Sequence, residues 1–188
     1  MCRHYVSAAK SLGSNNFFMD EIGIAFTRIN AALLIRALEH AYPNVMTKIS
    51  QAMPVIGSGK IPVFGGMIPG QTTDTVAALL AESFNGTFVN LSNVDGVYSS
   101  DPAENPRAKF YPELSYDRLI SLMKLNETKP AQNMVIDLPA ALVLKRSKIP
   151  AYFLNGSDLE NFETAIRGGS FKGTVVGEGS SESPGQEI

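Results

Sequence analysis

The chain has 188 residues, of which 44% are hydrophobic and 18% are charged, and this balance is typical of a globular protein with one sizeable core. Its formal net charge of −2 gives no electrostatic case for binding nucleic acid or an anionic membrane. No apolar run approaches the ~20 residues needed to span a bilayer, and the N-terminus lacks the apolar core of a signal peptide. The single cysteine excludes an internal disulfide, and no cluster of Cys and His residues suggests a metal site. We therefore expect a cytoplasmic protein in a reducing compartment.

Helical and strand patterns alternate along the chain. Apolar residues recur at helical spacing in several segments, and we predict helices over 5–13, 19–43, 49–53, 74–82, 115–125, 134–148 and 158–168. Short apolar runs between turn residues predict strands over 61–66, 86–93, 149–156 and 173–177. Asp20 and Glu21 stand near the predicted start of the long second helix, where the helix dipole favours negative charge. The alternation indicates an α/β sandwich with a largely parallel sheet.

We expect one domain over 1–177, because two domains would be cramped in a chain of this length. The tail over 178–188, EGSSESPGQEI, is polar and is predicted to be disordered. Ser115 is a candidate N-cap for the helix that follows it, and Pro139 is compatible with the first turn of the next helix. The chain opens on a predicted helix, with no strand before it.

The stretch GGMIPGQTTD, residues 65–74, leads from a predicted strand into a predicted helix. Glycines let backbone N–H groups approach an anion closely, and a helix N-terminus adds partial positive charge, so this loop is suited to a phosphate. Thr72 and Thr73 add hydroxyl donors, and Asp74 could position a cation or a lysine beside the phosphate. The alternative is a helix cap, which threonine commonly provides at a helix start. The loop is not a Walker A motif, because no Lys-Ser/Thr pair follows the glycines.

The stretch LSNVDGVYSSDP, residues 91–102, follows another predicted strand. Asp95 and Gly96 suit a tight turn with a positive φ at the glycine. Tyr98 could stack on a base, and Asp101 could accept a hydrogen bond from a ribose or an amino group. The alternative is an Asx-type turn with Tyr98 packed into the core. Both glycine-rich loops follow predicted strands, so we expect them at the same edge of the sheet, where α/β proteins bind their ligands.

The segment from Asp20 supplies two further polar candidates. Asp20, at its predicted helix start, could accept hydrogen bonds from two ribose hydroxyls. Arg28 could reach a phosphate, although an ion pair at the surface is the more ordinary role for an arginine there. His4 and His40 have no acid or nucleophile at a catalytic spacing, and we interpret both as surface or packing residues.

Together these stretches resemble the amino-acid-kinase superfamily, and within it the archaeal-type uridylate (UMP) kinases. The resemblance is carried by DEIGIAFTRINAALLIRAL from Asp20, KIPVFGGMIPGQTTDTVAALLAE from Lys60 and SNVDGVYSSDPAENPRAK from Ser92, and it continues weakly to about Gly177. It implies the amino-acid-kinase fold, a three-layer α/β/α sandwich with a largely parallel sheet. It also implies transfer of the γ-phosphate of ATP to UMP, with Mg²⁺ accompanying the ATP, and a homo-oligomer, which is a hexamer in relatives.

The resemblance also assigns roles to individual residues. Asp74 is implied to organise the catalytic lysine or a metal and is not a base, and Asp20 is implied to hold the UMP ribose. The loop implied to wrap the uracil and α-phosphate of UMP consists of Met67, Ile68, Pro69, Gly70, Gln71, Thr72 and Thr73. The residues implied to bind ATP are Arg3, near the phosphates, and Ser92, Asn93, Tyr98 and Asp101, around the adenine and ribose.

The chain departs from the family pattern mainly at its start. Family members begin with a strand–helix–strand unit that carries a glycine-rich loop for the ATP phosphates, and this chain begins just past that unit. We therefore expect an N-terminally truncated fold and a chain that is catalytically weak or inactive as given. Met67 and Ile68 stand where relatives often carry polar residues, Ser92 replaces a more usual threonine, and QNM over 132–134 replaces a small-residue stretch.

Two alternatives remain open. One is a non-catalytic relative on the same fold that binds a nucleotide or another oxyanion. The other is a superfamily kinase that phosphorylates a carboxylate, a carbamate or a phosphate acceptor. The PGQTTD sequence together with Asp20 disfavours the second alternative.

Overall fold

The computed structural model describes residues 1–127 and 135–178, where helices and strands largely follow the predicted alternation. The helices are α1 (Cys2–Ser11), α2 (Asn16–Ala37), α3 (Thr73–Ser83), α4 (Tyr116–Glu127), α5 (Leu138–Arg146) and α6 (Leu159–Ile166), with a short 3₁₀ helix over Ile49–Gln51. The strands are β1 (Phe88–Ser92), β2 (Val97–Tyr98), β3 (Phe110–Tyr111), β4 (Glu113–Ser115), β5 (Ala151–Asn155) and β6 (Thr174–Gly177). The stretch 132–134 and the predicted disordered tail beyond Glu178 lie outside the described residues.

The chain divides into two compact units, residues 1–76 and residues 77–188. The first unit contains α1, α2, the 3₁₀ helix and the beginning of α3. The second unit contains the rest of α3 and all six strands. Within the described ranges, no helix has both the length and the apolar character required to cross a membrane.

In the first unit, the start of α2 is set by a side-chain cap. The Asn15 side chain accepts a hydrogen bond from the backbone N–H of Phe18 at 3.1 Å, so the helix begins at Asn16, before the predicted start. Asp20 therefore lies in the second turn, and the first turn carries no acidic residue. The prediction that Asp20 and Glu21 stand at the positive end of the helix dipole is wrong, because the cap sequence lies further upstream.

The predicted strand over 61–66 is also wrong as a regular strand. This segment forms only isolated parallel bridges with the preceding segment, from Ala41 to Ile61 and from Met46 to Phe64. The first segment advances five residues between the two bridges while the second advances three, so a continuous ladder cannot form. Pro43, within that longer stretch, has no N–H to donate.

The four-stranded sheet of the second unit has the order β1-β5-β6-β4. β5 runs parallel to β1, and β4 runs parallel to β6, while β5 and β6 are antiparallel. The predicted α/β fold with a largely parallel sheet is therefore confirmed. β2 lies in the stretch 91–102, which the sequence pattern predicted as a loop after β1, and it forms a separate antiparallel pair with β3.

The core of the second unit lies where α4 and α5 pack on this sheet. Leu119 of α4, Leu144 of α5, Phe153 of β5 and Val176 of β6 are all essentially inaccessible to solvent. Each comes from a segment that the sequence pattern identified by its apolar spacing. Burial of such side chains contributes about 1.5–3 kcal/mol each to folding, so this cluster is the main source of stability for the unit.

Polar side chains cap the N-termini of the helices that cover the sheet. Ser115 accepts a hydrogen bond from the N–H of Arg118 at 3.2 Å, as predicted. Asp137 accepts one from the N–H of Ala140 at 2.8 Å, which places Pro139 in the first turn of α5, also as predicted. These caps satisfy backbone donors that have no partner within a helix.

An ion pair joins the end of α3 to the end of α5. Arg146 Nε and Nη2 donate to Glu82 Oε1 and Oε2 at 2.8 and 2.6 Å, and the Ser147 hydroxyl donates to Oε1. The Arg146 hydrogen bond, followed by that of Ser147, lowers the pKa of the Glu82 carboxyl from 4.5 to about 2. The ionised carboxylate is thus favoured by the folded state.

The Glu82 ion pair predicts an acid-dependent loss of stability. Below pH 4.5 the unfolded chain binds a proton at Glu82 that the folded chain does not bind until about pH 2. The stabilisation is therefore complete above pH 4.5 and declines as the pH falls towards 2. Urea unfolding at pH 7 and pH 3 should give a smaller stability difference between the wild-type chain and Glu82→Gln at the lower pH. An equal difference at both pH values would contradict this role for the pair, and Arg146→Met provides the matched variant on the other side.

Candidate functional site

One face of α2 holds the glycine-rich loop 65–73 in place. Thr27 and Arg28 follow Asp20 by seven and eight residues, which is close to two helical turns, so the three residues share this face. The Thr27 hydroxyl accepts a hydrogen bond from the N–H of Gly66 at 2.7 Å. Arg28 donates through Nε to the Gly66 carbonyl at 3.1 Å and through Nη2 to the Met67 carbonyl at 3.3 Å.

Asp20 makes the third attachment, at the far end of the loop. Its Oδ2 accepts a hydrogen bond from the N–H of Gly70 at 2.8 Å. Gly70 has a φ of +82°, a left-handed conformation that glycine adopts at little cost. This turn exposes the Gly70 N–H to the carboxylate on α2. The loop is therefore fixed at its start by Thr27 and Arg28 and near its tip by Asp20.

The first two glycines of the loop are required by the close approach of its backbone to α2. A Cβ atom at Gly65 would lie 2.5 Å from Arg28 Cγ, and one at Gly66 would lie 3.0 Å from both Ile24 Cγ1 and Thr27 Oγ1. Real side chains do not make contacts of 2.5 Å, so a larger residue at position 65 would push the loop off the helix. The glycines predicted to admit an anion thus also bring the loop against its own helix.

The end of the loop caps α3. The Thr72 hydroxyl accepts a hydrogen bond from the N–H of Thr75 at 3.1 Å, and the Thr72 carbonyl accepts one from the N–H of Val76 at 3.1 Å. The helix-cap interpretation of this sequence is confirmed for Thr72. Phosphate binding by the loop stays a prediction, and Thr73 and Asp74 lie in the first turn of α3.

The remaining predicted residues of the first unit differ in exposure. Ile68 is 55% exposed at the tip of the loop, whereas Met67, Pro69 and Gln71 are half-buried. Arg3 lies exposed on α1. The predicted surface ion pair of Arg28 is wrong: the side chain is partly buried and is bonded to the loop carbonyls. The adjacent Thr-Arg pair, at two-turn spacing from Asp20, is the sequence signal that would have revealed this role.

The residues predicted to surround the adenine and ribose of ATP lie in the second unit, at and after the end of β1. Ser92 uses its hydroxyl locally, accepting from the N–H of Val94 at 3.2 Å. Asn93 is exposed next to it. Tyr98 is half-buried against Phe110, with ring centroids 5.2 Å apart. Asp101 Oδ1 accepts from the N–H of Ala103 at 2.9 Å, which forms an Asx-type turn.

The predicted positive φ at Gly96 is wrong. The φ of Gly96 is not positive, so the turn conformation is not the reason for a glycine at this position. A Cβ atom at position 96 would instead lie 2.5 Å from the hydroxyl of Thr174 and 3.0 Å from the Phe110 ring. The residue is glycine because β6 passes close to the loop, which no local sequence pattern reveals.

The chain segment leading into β6 makes contacts that sequence reasoning missed. The fully buried Thr174 hydroxyl accepts from the N–H of Val97 at 2.8 Å and donates to the carbonyl of Tyr111 at 2.5 Å. Lys172 forms an ion pair with Asp95 at 2.6 Å. The hydrogen bond from Lys172, followed by that from Asn155, lowers the pKa of the Asp95 carboxyl.

Both glycine-rich loops were predicted to lie at one edge of the sheet because each was predicted to follow a strand, and this holds for only one of them. The loop after β1 does follow a sheet strand, whereas loop 65–73 follows an extended segment that belongs to no regular strand. Their common location therefore stays a prediction. Across the described residues, no group of three or more His, Cys, Asp or Glu side chains lies close enough to hold a metal ion.

A glycine-rich loop that ends at a helix N-terminus, together with a loop after a parallel strand, is typical of α/β proteins that bind phosphate compounds. The chain belongs to the amino acid kinase family, whose family model matches residues 4–155. The predicted membership of this superfamily is confirmed.

Similar proteins are archaeal uridylate kinases. The uridylate kinase of Methanocorpusculum labreanum is 45% identical over 177 residues, covering 93% of this chain and 75% of the relative. That of Thermococcus kodakarensis is 44% identical over 178 residues, covering 94% of this chain and 79% of the relative. The crystal structure of the uridylate kinase from Archaeoglobus fulgidus matches with a TM-score of 0.82 at 41% identity, over 93% of this chain and 79% of that chain. The predicted resemblance to archaeal-type uridylate kinases and the predicted amino-acid-kinase fold are confirmed.

The close approach of Gly65 to α2 predicts a specific cost for a methyl group. Gly65→Ala should lower the free energy of unfolding by about 1–3 kcal/mol, because the new Cβ overlaps Arg28 and forces the backbone apart. Gly23→Ala is the matched control, since a Cβ there meets no atom within 4 Å and alanine favours the helix by up to ~1 kcal/mol. Denaturant unfolding of both variants checks this. Equal stability of the two variants would contradict the close packing of loop and helix.

Proposed function

We propose that the chain transfers the γ-phosphate of ATP to UMP, forming UDP and ADP. The observation that carries this proposal is the similarity to archaeal uridylate kinases, which reaches 45% identity over 93% of the chain. The loop 65–73 lies within that similarity and is attached to α2 at three points. A substrate loop fixed in this way suits a reaction in which accurate placement of the acceptor phosphate lowers the barrier.

The acceptor nucleotide is proposed to bind at loop 65–73 and the adjacent face of α2. Asp20 is the proposed ligand of the UMP ribose, and its Oδ2 is already bonded to Gly70. A carboxylate has two oxygens with about four lone-pair positions, so Asp20 can hold the loop and accept from a ribose hydroxyl together. The residues proposed to surround the uracil and α-phosphate are Met67, Ile68, Pro69, Gly70, Gln71, Thr72 and Thr73.

The donor nucleotide is proposed to bind at the segment after β1. Ser92, Asn93, Tyr98 and Asp101 are the proposed contacts for adenine and ribose, and Arg3 is the proposed contact for the phosphates. In this segment the Tyr98 ring is held against Phe110 and the Asp101 turn is hydrogen-bonded. These local contacts support a segment that is already ordered and needs little rearrangement when ATP binds.

Asp74 is proposed to organise the charged groups around the transferred phosphate and not to act as a base. Its position in the first turn of α3 places a carboxylate where the helix dipole stabilises it. Mg²⁺ is proposed to arrive with ATP, because phosphate oxygens and water supply most of its ligands in such reactions. The ion would neutralise charge that develops on the phosphates during transfer.

The wider setting of this activity is proposed from the family resemblance. We expect residues 1–177 to act as one catalytic domain in a homo-oligomer, as a hexamer, in the cytoplasm. UMP and ATP are the proposed partners, and the formal charge of −2 gives no electrostatic case for a nucleic acid or an anionic membrane.

The proposed activity predicts a selective acceptor. In a coupled assay of ADP formation, UMP should be phosphorylated faster than CMP, AMP or acetylglutamate. Asp74→Asn should reduce kcat by about 100-fold or more, because displaced charges around the phosphate are costly in a reaction that depends on positioning. Preferential turnover of another acceptor would contradict UMP as the substrate. An unchanged kcat in Asp74→Asn would contradict the proposed role of Asp74.

The double use of Asp20 predicts different results for two substitutions. Asp20→Ala should raise KM for UMP the most, because it removes both the proposed ribose contact and the acceptor for the Gly70 N–H. Asp20→Asn retains an oxygen acceptor for Gly70 and should raise KM for UMP less, while KM for ATP stays constant in both variants. Hydrogen exchange at Gly70 provides a separate readout and should accelerate in Asp20→Ala only. A larger change in KM for ATP than for UMP would contradict the proposal that Asp20 binds UMP.

A further inference from the structure

The segment 171–174, which ends at Thr174, the first residue of β6, is bonded to the loop proposed to bind ATP. Lys172 Nζ lies 2.6 Å from Asp95 Oδ2, and Asn155 donates to Asp95 Oδ1 at 3.1 Å. Asp95 is thus held from two sides, by a lysine before β6 and by an amide at the end of β5. Asp95 is followed by Gly96 and then by Val97, the first residue of β2.

Thr174 fixes the next part of the same loop. Its hydroxyl accepts from the Val97 N–H at 2.8 Å and donates to the Tyr111 carbonyl at 2.5 Å, so one buried side chain connects β2 and β3 to β6. The short distance that a Cβ at Gly96 would have from this hydroxyl, 2.5 Å, confirms how closely the loop lies on β6. Val97 is adjacent to Tyr98, a proposed contact of the adenine nucleotide.

The segment 171–174 is itself firmly anchored. The Phe171 ring packs on Tyr152 of β5 with centroids 5.0 Å apart. Asn161 of α6 accepts from the Lys172 N–H at 2.8 Å and donates to the Lys172 carbonyl at 2.7 Å. A Cβ at Gly173 would lie 2.6 Å from the Phe153 carbonyl, so the backbone here lies directly against β5. An anchored segment can transmit the position of the sheet to a loop bonded to it.

We propose that Lys172 and Thr174 are positioning residues for the donor nucleotide, which set the geometry of the loop 95–98 and thereby the affinity of the chain for ATP. This inference rests on the proposed function for the identity of the donor. Neither residue needs to touch ATP. Lys172 acts through Asp95, and Thr174 acts through the Val97 N–H and the Tyr111 carbonyl.

The two residues should contribute by different amounts. The Lys172–Asp95 pair is largely exposed, with 70% of the Lys172 side chain and 30% of the Asp95 side chain accessible. Solvent weakens such a pair, so its loss should change ATP affinity by about two- to fivefold. The Thr174 hydroxyl is buried, and its removal leaves a backbone donor and a carbonyl without their partner. We expect about tenfold weaker ATP binding from that loss.

The test measures the Kd of ATP by calorimetry and the KM values of ATP and UMP in the full chain. Lys172→Ala and Thr174→Val should raise the Kd and KM for ATP by these factors while KM for UMP stays constant. Lys172→Arg and Thr174→Ser, which retain the charge and the hydroxyl, should restore most of the ATP affinity. Lys145→Ala is the matched control, because it breaks another exposed ion pair of the same unit, with Asp117 at 2.5 Å.

A purely structural role would lower Tm and the fraction of active protein and would leave the ATP constants of the folded protein unchanged. That result, or an equal effect of Lys145→Ala, would overturn the inference. If the wild-type chain binds ATP and Lys172→Ala weakens this binding, but UMP is not phosphorylated, the proposed function fails and the positioning role holds. If UMP is phosphorylated and both variants leave the Kd and KM for ATP unchanged, the positioning role alone fails.

Discussion

The contact between loop 65–73 and α2 is the constraint on which the proposed acceptor site depends. The loop backbone approaches so closely that a Cβ at Gly65 would lie 2.5 Å from the Arg28 side chain. The glycines allow this distance, at which Thr27 and Asp20 accept hydrogen bonds from backbone N–H groups of the loop and Arg28 donates to its carbonyls. A loop fixed at several backbone atoms has lost its conformational entropy before substrate arrives, so the substrate does not have to order it.

The second unit uses the same combination of a glycine and a polar side chain. Gly96 permits β6 to approach the loop after β1, and the Thr174 hydroxyl then forms hydrogen bonds with the backbone of both β2 and β3. In both units the fixing residues come from a rigid helix or strand and act on main-chain atoms. Attachment through main-chain atoms leaves the side chains of the loops available for ligands.

The chemistry proposed for this chain requires little from any single side chain. In phosphoryl transfer the reacting groups carry their own nucleophile and leaving group, so catalysis depends on position and on neutralising charge. A carboxylate at a helix N-terminus, as at Asp74, and backbone N–H groups held by glycine-rich turns are means to that end. The hydrogen bond from Lys172 lowers the pKa of the Asp95 carboxyl, so this pair stays charged at a more acidic pH than an isolated aspartate would allow.

The sequence by itself determined the α/β class, most of the helices and strands of the second unit, the caps at Ser115 and Thr72 and the family resemblance. These features depend on apolar spacing and on local hydrogen bonds, which neighbouring residues specify. The tertiary structure alone decided that 61–66 forms isolated bridges, that Arg28 binds loop carbonyls and that Gly96 makes room for Thr174. Gly96 and Thr174 are 78 residues apart, and Arg28 and Gly66 are 38 apart. Such contacts follow from how the elements pack, and a local pattern carries no information about a partner so distant along the chain.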